Sequence, residues 1–125
     1  MILKDAVFVY QMKELEAIKW HGRYHTHGQN DYELHYFVQG AGKFLSGDTL
    51  YNITPGTLFL TSPGVKHSIK VKDPGSPITY YALLIQPEGG DQDVEELLKE
   101  EIRRRPWYAI GSNYRFFFEE LRERG

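Results

Sequence analysis

Tyr32-Glu33-Leu34-His35-Tyr36-Phe37-Val38-Gln39 is the stretch whose reading decides the fold of this chain. Alternate residues of an extended strand share a face. Glu33, His35 and Phe37 therefore fall on one side, and Leu34, Tyr36 and Val38 on the other. Both sides are partly apolar, which predicts cover on both. One side lines the interior of a barrel; the other carries the C-terminal helices or a second subunit.

Turn signals recur on either side of this strand. They are Gly28 to Asp31, Gly40-Ala41-Gly42, Ser46-Gly47-Asp48, Pro55-Gly56, Pro63-Gly64 and Asp73-Pro74-Gly75. Between them lie short runs such as Thr57-Leu58-Phe59-Leu60 and Tyr80-Tyr81-Ala82-Leu83-Leu84-Ile85. Many short strands at regular spacing predict an all-β sandwich or barrel over residues 1–87. In His67-Ser68-Ile69-Lys70-Val71-Lys72 the polar residues take one phase, so His67 points inward with Ile69 and Val71. Upstream, Ala17 to His27 places His21, Arg23, His25 and His27 in one phase and Ile18, Trp20 and Tyr24 in the other. Gly22 is a place for a bulge that would shift His21, but His25 and His27 share a face regardless.

Residues 91–125 change character. Asp91 is a good N-cap, and Val94, Leu97, Leu98 and Ile102 make a stripe at helical spacing that needs an apolar floor. Pro106 ends that helix or follows its end. Ser112 is placed to cap a second helix carrying Tyr114, Phe117, Phe118 and Leu121. This helical extension packs on the barrel or forms a dimer interface, and Gln86 to Gly90 is the joint. The second helix runs almost to Gly125, as in a domain cut from a longer chain.

Composition narrows the class. The 125 residues fit one domain, 41% hydrophobic and 26% charged, with a net charge of -2. A domain that grips DNA alone is distinctly basic, so direct contact with nucleic acid is not expected. The absence of cysteine excludes disulfides, cysteine-ligated zinc and thiol catalysis. No signal-peptide core opens the chain, and no apolar run approaches the roughly 20 residues that span a bilayer. A cytoplasmic protein without a membrane partner is expected.

His25-x-His27, Glu33, Gly40, Pro55-Gly56 and Pro63-Gly64-x-x-His67 resemble the two cupin motifs. The run from Tyr32 to Gly42, with Pro55-Gly56-Thr57-Leu58-Phe59-Leu60, resembles the effector-binding and dimerisation domain of AraC-type transcription regulators. The resemblance covers roughly residues 17–85, and the trailing helix pair suits the same family. It implies a cupin double-stranded β-helix, a jelly-roll barrel, followed by two C-terminal α-helices. It also implies a small-molecule effector, such as a sugar or another metabolite, and a homodimer. DNA would be bound by a C-terminal domain that nothing in these residues resembles.

Carried over from metal-binding cupins, the ligands would be His25, His27, Glu33 and His67, with His35 as a substitute. The interval between His27 and Glu33 is longer than usual in that family, and Pro63-Gly64 stands where Pro-x-Gly is typical. Two states stay open: a polar pocket with no ion, or one holding a divalent Zn, Ni, Mn or Fe, since imidazole does not choose among them. The effector-binding set is Arg23, Tyr24, His25, His27, Glu33, His35, Phe37 and His67. Arg23 is suited to a carboxylate or phosphate through its planar fork, or to a surface ion pair. Phe116-Phe117-Phe118 reads as a buried interface, and Arg103-Arg104-Arg105 as a solvated helix end. No nucleophile or phosphate-cradling loop is evident. A sensor domain, not an enzyme, is the expectation; the alternative is a small metal-dependent cupin enzyme of dioxygenase, isomerase or decarboxylase type, or a stand-alone binding cupin.

Overall fold

The computed structural model of the chain describes residues 1–13 and 31–124. Among these, β1 (Ile2–Met12), β2 (Tyr32–Gln39), β3 (Gly42–Ser46), β4 (Thr49–Ile53), β5 (Thr57–Thr61), β6 (His67–Val71), β7 (Ile78–Gln86) and β8 (Trp107–Ala109) form two sheets. The larger runs β1-β7-β2-β5-β8 and the smaller β4-β3-β6. Their pairings are antiparallel and nested: β2 pairs with β7 in the large sheet, and β3 pairs with β6 in the small one. A two-stranded ribbon that bends from one sheet into the other has the winding of a double-stranded β-helix. This is the expected jelly-roll barrel.

Alternation fills the interior from both sheets. Phe37, Phe59, Tyr80 and Ala82 of the large sheet meet Phe44, Ile53 and Ile69 of the small one, all buried. The Phe44 ring lies 4.4 Å from Phe59 and 6.0 Å from Phe37, centroid to centroid. Such pairs add to the apolar area they bury. As expected, Ile69 points inward and Val71 packs against the same core.

The outer face of the large sheet is also covered. Helix α2 (Arg115–Arg124) lays Phe118 on Tyr36 and Tyr81. The Phe118 and Tyr36 rings stack at 4.7 Å. Tyr36 donates its hydroxyl to the Gly111 carbonyl at 2.5 Å, and Tyr81 donates to Glu119 Oε2 at 2.5 Å. The two faces of β2 thus serve two layers, one inside the barrel and one beneath α2.

Three sequence expectations need correction. Helix α1 (Gln92–Arg104) forms as the periodicity predicts, but none of its residues is buried. Val94 and Leu97 stay exposed, and the floor belongs to α2. The Asp91 side chain caps no helical N–H; its carboxylate instead accepts the Glu88 N–H at 2.9 Å and pairs with the Met1 amine. The 116–118 run is not buried throughout, since Phe116 is 86% exposed and Phe117 58%. In addition, the C-terminal part is not purely helical. After Pro106, β8 extends the large sheet by pairing with β5. A turn of 3-10 helix at Ser112–Tyr114 then leads into α2. No helix among the described residues is long and apolar enough to cross a membrane.

Candidate functional site

Register places the site. Glu33 and His35 follow one another on the interior phase of β2, with Thr61 directly opposite Glu33 and Phe59 opposite His35 on β5. On the other flank, Leu84 and Ala82 of β7 complete the same rows. From the small sheet, His67 opens β6 opposite Ser46 and faces this end of the interior. Three groups converge there. Glu33 Oε2 lies 3.4 Å from His67 Nε2 and 3.6 Å from His35 Nε2. The two imidazole rings are 5.0 Å apart and inclined at 64°.

All three are buried, with His35 fully enclosed. The His35 ring sits 5.2 Å from Phe44 and 5.9 Å from Tyr80; His67 stacks on Phe44 at 5.9 Å. The aromatic core therefore forms the back wall of the polar trio and fixes both rings. Burying a carboxylate away from water is costly unless it is paired. Here two imidazoles stand within 3.6 Å of it, and an imidazole can donate, accept or ligate.

Other predicted site residues fall differently. Phe37 lies one step deeper than His35 on the same face, within the aromatic core. Arg23, Tyr24, His25 and His27, like His21, lie outside the described residues. Sequence reading had not picked out Thr61, a buried hydroxyl with no hydrogen-bond partner among the described residues. The alternation of Thr57, Phe59 and Thr61 held that signal, but its alignment with Glu33 comes from the β2–β5 register. Asp31, read as part of a turn, is also buried and accepts from Lys4 Nζ at 2.9 Å, which ties β1 to the start of β2.

Glu33, His35 and His67 offer one ligand atom each, all within 4.8 Å of one another. Donors about 2.0–2.2 Å from a common ion stand some 3–4 Å apart, so the 3.4 and 3.6 Å separations fit a divalent cation. Two imidazoles and a carboxylate also suit one.

The uncharacterized HTH-type transcriptional regulator YfiF of Bacillus subtilis (strain 168) is 34% identical over 86 residues, which are 67% of this chain and 26% of that protein. The chain thus spans about a quarter of that relative's length. Among solved structures, a cupin protein from Bacteroides fragilis aligns at 19% identity and TM-score 0.44, covering 50% of this chain and 52% of that one. A Cupin 2 conserved barrel domain protein from Salinispora arenicola CNS-205 aligns at 16% and 0.41, covering 76% and 65%. Residues 13–101 match the AraC-like ligand binding domain. The chain belongs to that family.

Proposed function

We propose that the Glu33–His35–His67 trio binds a small polar effector, and that this domain reports its presence to a DNA-binding part outside these 125 residues. The carrying observation is the buried trio itself. One step deeper the same space is filled by Phe37, Phe44 and Phe59, so packing alone does not call for ionisable groups here. Ionisable groups clustered in a buried place that apolar packing could fill are candidates for a functional site. A carboxylate flanked by imidazoles suits a hydroxyl-rich ligand such as a sugar, because it can accept and donate along one edge. Arg23, Tyr24, His25 and His27 are proposed to complete the lining. The role is recognition rather than turnover, in a cytoplasmic regulator. Sequencing the gene past Gly125 tests the regulatory half: about 100 further residues, the size of a small domain, with two helix-turn-helix patterns are expected. A stop codon there contradicts it.

The ligand geometry favours a second reading, in which the trio holds a divalent ion, joined by His25 and His27. Glu33 and His67 would supply a carboxylate oxygen and an imidazole nitrogen, and His35 a second nitrogen. A bound ion would supply a Lewis-acidic point for an effector oxygen. Equilibrium dialysis against Zn2+, followed by elemental analysis, tests this. One ion per chain is expected, falling at least about tenfold in affinity in Glu33→Gln or His67→Ala. Unchanged metal content in both contradicts it.

A homodimer is proposed through the C-terminal helices, because Phe116 and Phe117 of α2 and Leu97 of α1 present apolar surface to solvent.

A further inference from the structure

Among the described residues three threonines are buried, Thr57, Thr61 and Thr79, all on strands of the large sheet. Two have partners. Thr57 donates its hydroxyl to the Thr54 carbonyl at 2.6 Å and lies 2.8 Å from the Thr54 hydroxyl. The Thr79 hydroxyl accepts the Gln11 N–H at 3.0 Å. Thr61 is 3% exposed, and its hydroxyl has no hydrogen-bond partner among the described residues. A buried hydroxyl without a partner is a cost to the fold. Threonine suits a strand, but so does valine, which has the same shape and nothing to satisfy. Strand propensity therefore does not account for the hydroxyl. Register puts it beside the trio. Thr61 is directly opposite Glu33, and Leu84 flanks Glu33 on the other side. Opposed side chains on one face have Cβ atoms about 4.5–5.5 Å apart. Strand β8 pairs with β5 only as far as Phe59, so among the described residues this row ends at Thr61.

We propose that Thr61 is a specificity-determining residue of the effector site, and that the effector is a neutral polyol or sugar whose neighbouring hydroxyls are shared between Glu33 and Thr61. This rests on the effector reading of the trio. An ionised carboxylate only accepts hydrogen bonds, whereas a hydroxyl both donates and accepts. One ligand hydroxyl donates to Glu33, and its neighbour exchanges a hydrogen bond with Thr61. An anionic group at this edge would meet the Glu33 carboxylate. An apolar group would leave the Thr61 hydroxyl unpaired. Sites built to hydrogen-bond a ligand hydroxyl discriminate strongly against the analogue that lacks it.

The test compares the parent chain with Thr61→Val, Thr61→Ser and Glu33→Gln. Each is titrated by calorimetry with D-ribose, D-xylose, D-glucose, glycerol and myo-inositol, and with the mono-deoxy analogues of whichever binds. Without any of these, Thr61→Val should melt no lower than the parent, because the exchange keeps the shape and removes an unpaired hydroxyl. The parent should bind at least one of the compounds and bind one of its deoxy analogues at least about tenfold more weakly. Thr61→Val should bind the compound itself at least about tenfold more weakly and no longer tell it from that analogue. Thr61→Ser should keep the discrimination. A valine variant that melts lower assigns the hydroxyl a structural partner, such as a fixed water, and overturns the proposal. Equal affinity in parent and valine variant overturns it as well, while loss of binding in Glu33→Gln would leave the effector reading standing. A parent that binds none of the compounds overturns the polyol class, and the role of Thr61 with it.

Discussion

Glu33 and Phe37 stand on the same face of β2, four residues apart, and do opposite work. Phe37 is enclosed by aromatic rings at 5.3 Å (Tyr80) and 5.7 Å (Phe59). Phe37→Ala leaves a cavity and should lower stability by about 3–5 kcal/mol, read from urea denaturation. Glu33→Gln keeps volume and one acceptor, so its cost should stay below about 2 kcal/mol while ligand or metal binding at the trio is lost. Residue phases were legible in the sequence because a strand's side chains have period two. That alone placed His67 inward and put Glu33, His35 and Phe37 together. Thr61 was not legible as their neighbour, since cross-strand alignment depends on a register set by the whole sheet. The expected contribution of His25 and His27 falls outside the described residues.

Helices α1 and α2 look alike as apolar stripes, yet only α2 buries a side chain, Phe118, against the sheet. Stripes announce that a face seeks cover, but not which helix reaches the sheet. The strand β8 escaped notice for a related reason: three residues are too few for periodicity. Its placement depends on Gly56, whose φ of 85° is left-handed. The Gly56 carbonyl accepts the N–H groups of Ile110 at 2.8 Å and Gly111 at 3.1 Å. A Cβ on Gly56 would stand 2.8 Å from the Gly111 Cα. Gly56→Ala should therefore loosen β8 and α2 together, seen as faster amide exchange over residues 107–124 with the β2–β7 amides less affected.

Docking of α2 should also depend on pH. Arg122, and then the Tyr81 hydroxyl, hold the Glu119 carboxyl below its ordinary 4.5. A depressed folded value stabilises above 4.5 and the benefit is lost as pH falls through the depressed value. Burial, and then the hydrogen bond to Glu119, raise Tyr81 above its ordinary 10.0. That contribution is present below 10.0 and is lost as pH rises through the raised value. Glu119→Gln should thus be less stable than the parent at neutral pH, with the difference closing in acid. A constant difference across the acid range would contradict the latch.

At the scale of the molecule, a jelly-roll barrel of the AraC-like ligand binding domain family has a buried polar trio at one end and a helix covering its large sheet. The fold was legible because turn residues punctuate short strands and because the motif residues resemble those of the family, although two of their intervals depart from it. The exposed apolar residues of the helices were not legible as exposed: a run of three phenylalanines has the same composition whether covered or bare. If that surface pairs two copies, the solution mass is twice the 14.6 kDa chain. Phe116→Ser/Phe117→Ser should then return it to a monomer by light scattering; a parent that is monomeric at high concentration contradicts the pairing. The most direct measurement for the site is capture of the effector. Parent, Glu33→Gln and His67→Ala chains are incubated with the small-molecule fraction of a cell extract, washed, and the retained compounds identified by mass spectrometry. A compound held by the parent and lost by both variants is the predicted result. Equal retention by all three, or none by the parent, contradicts the assignment of the trio as the effector site.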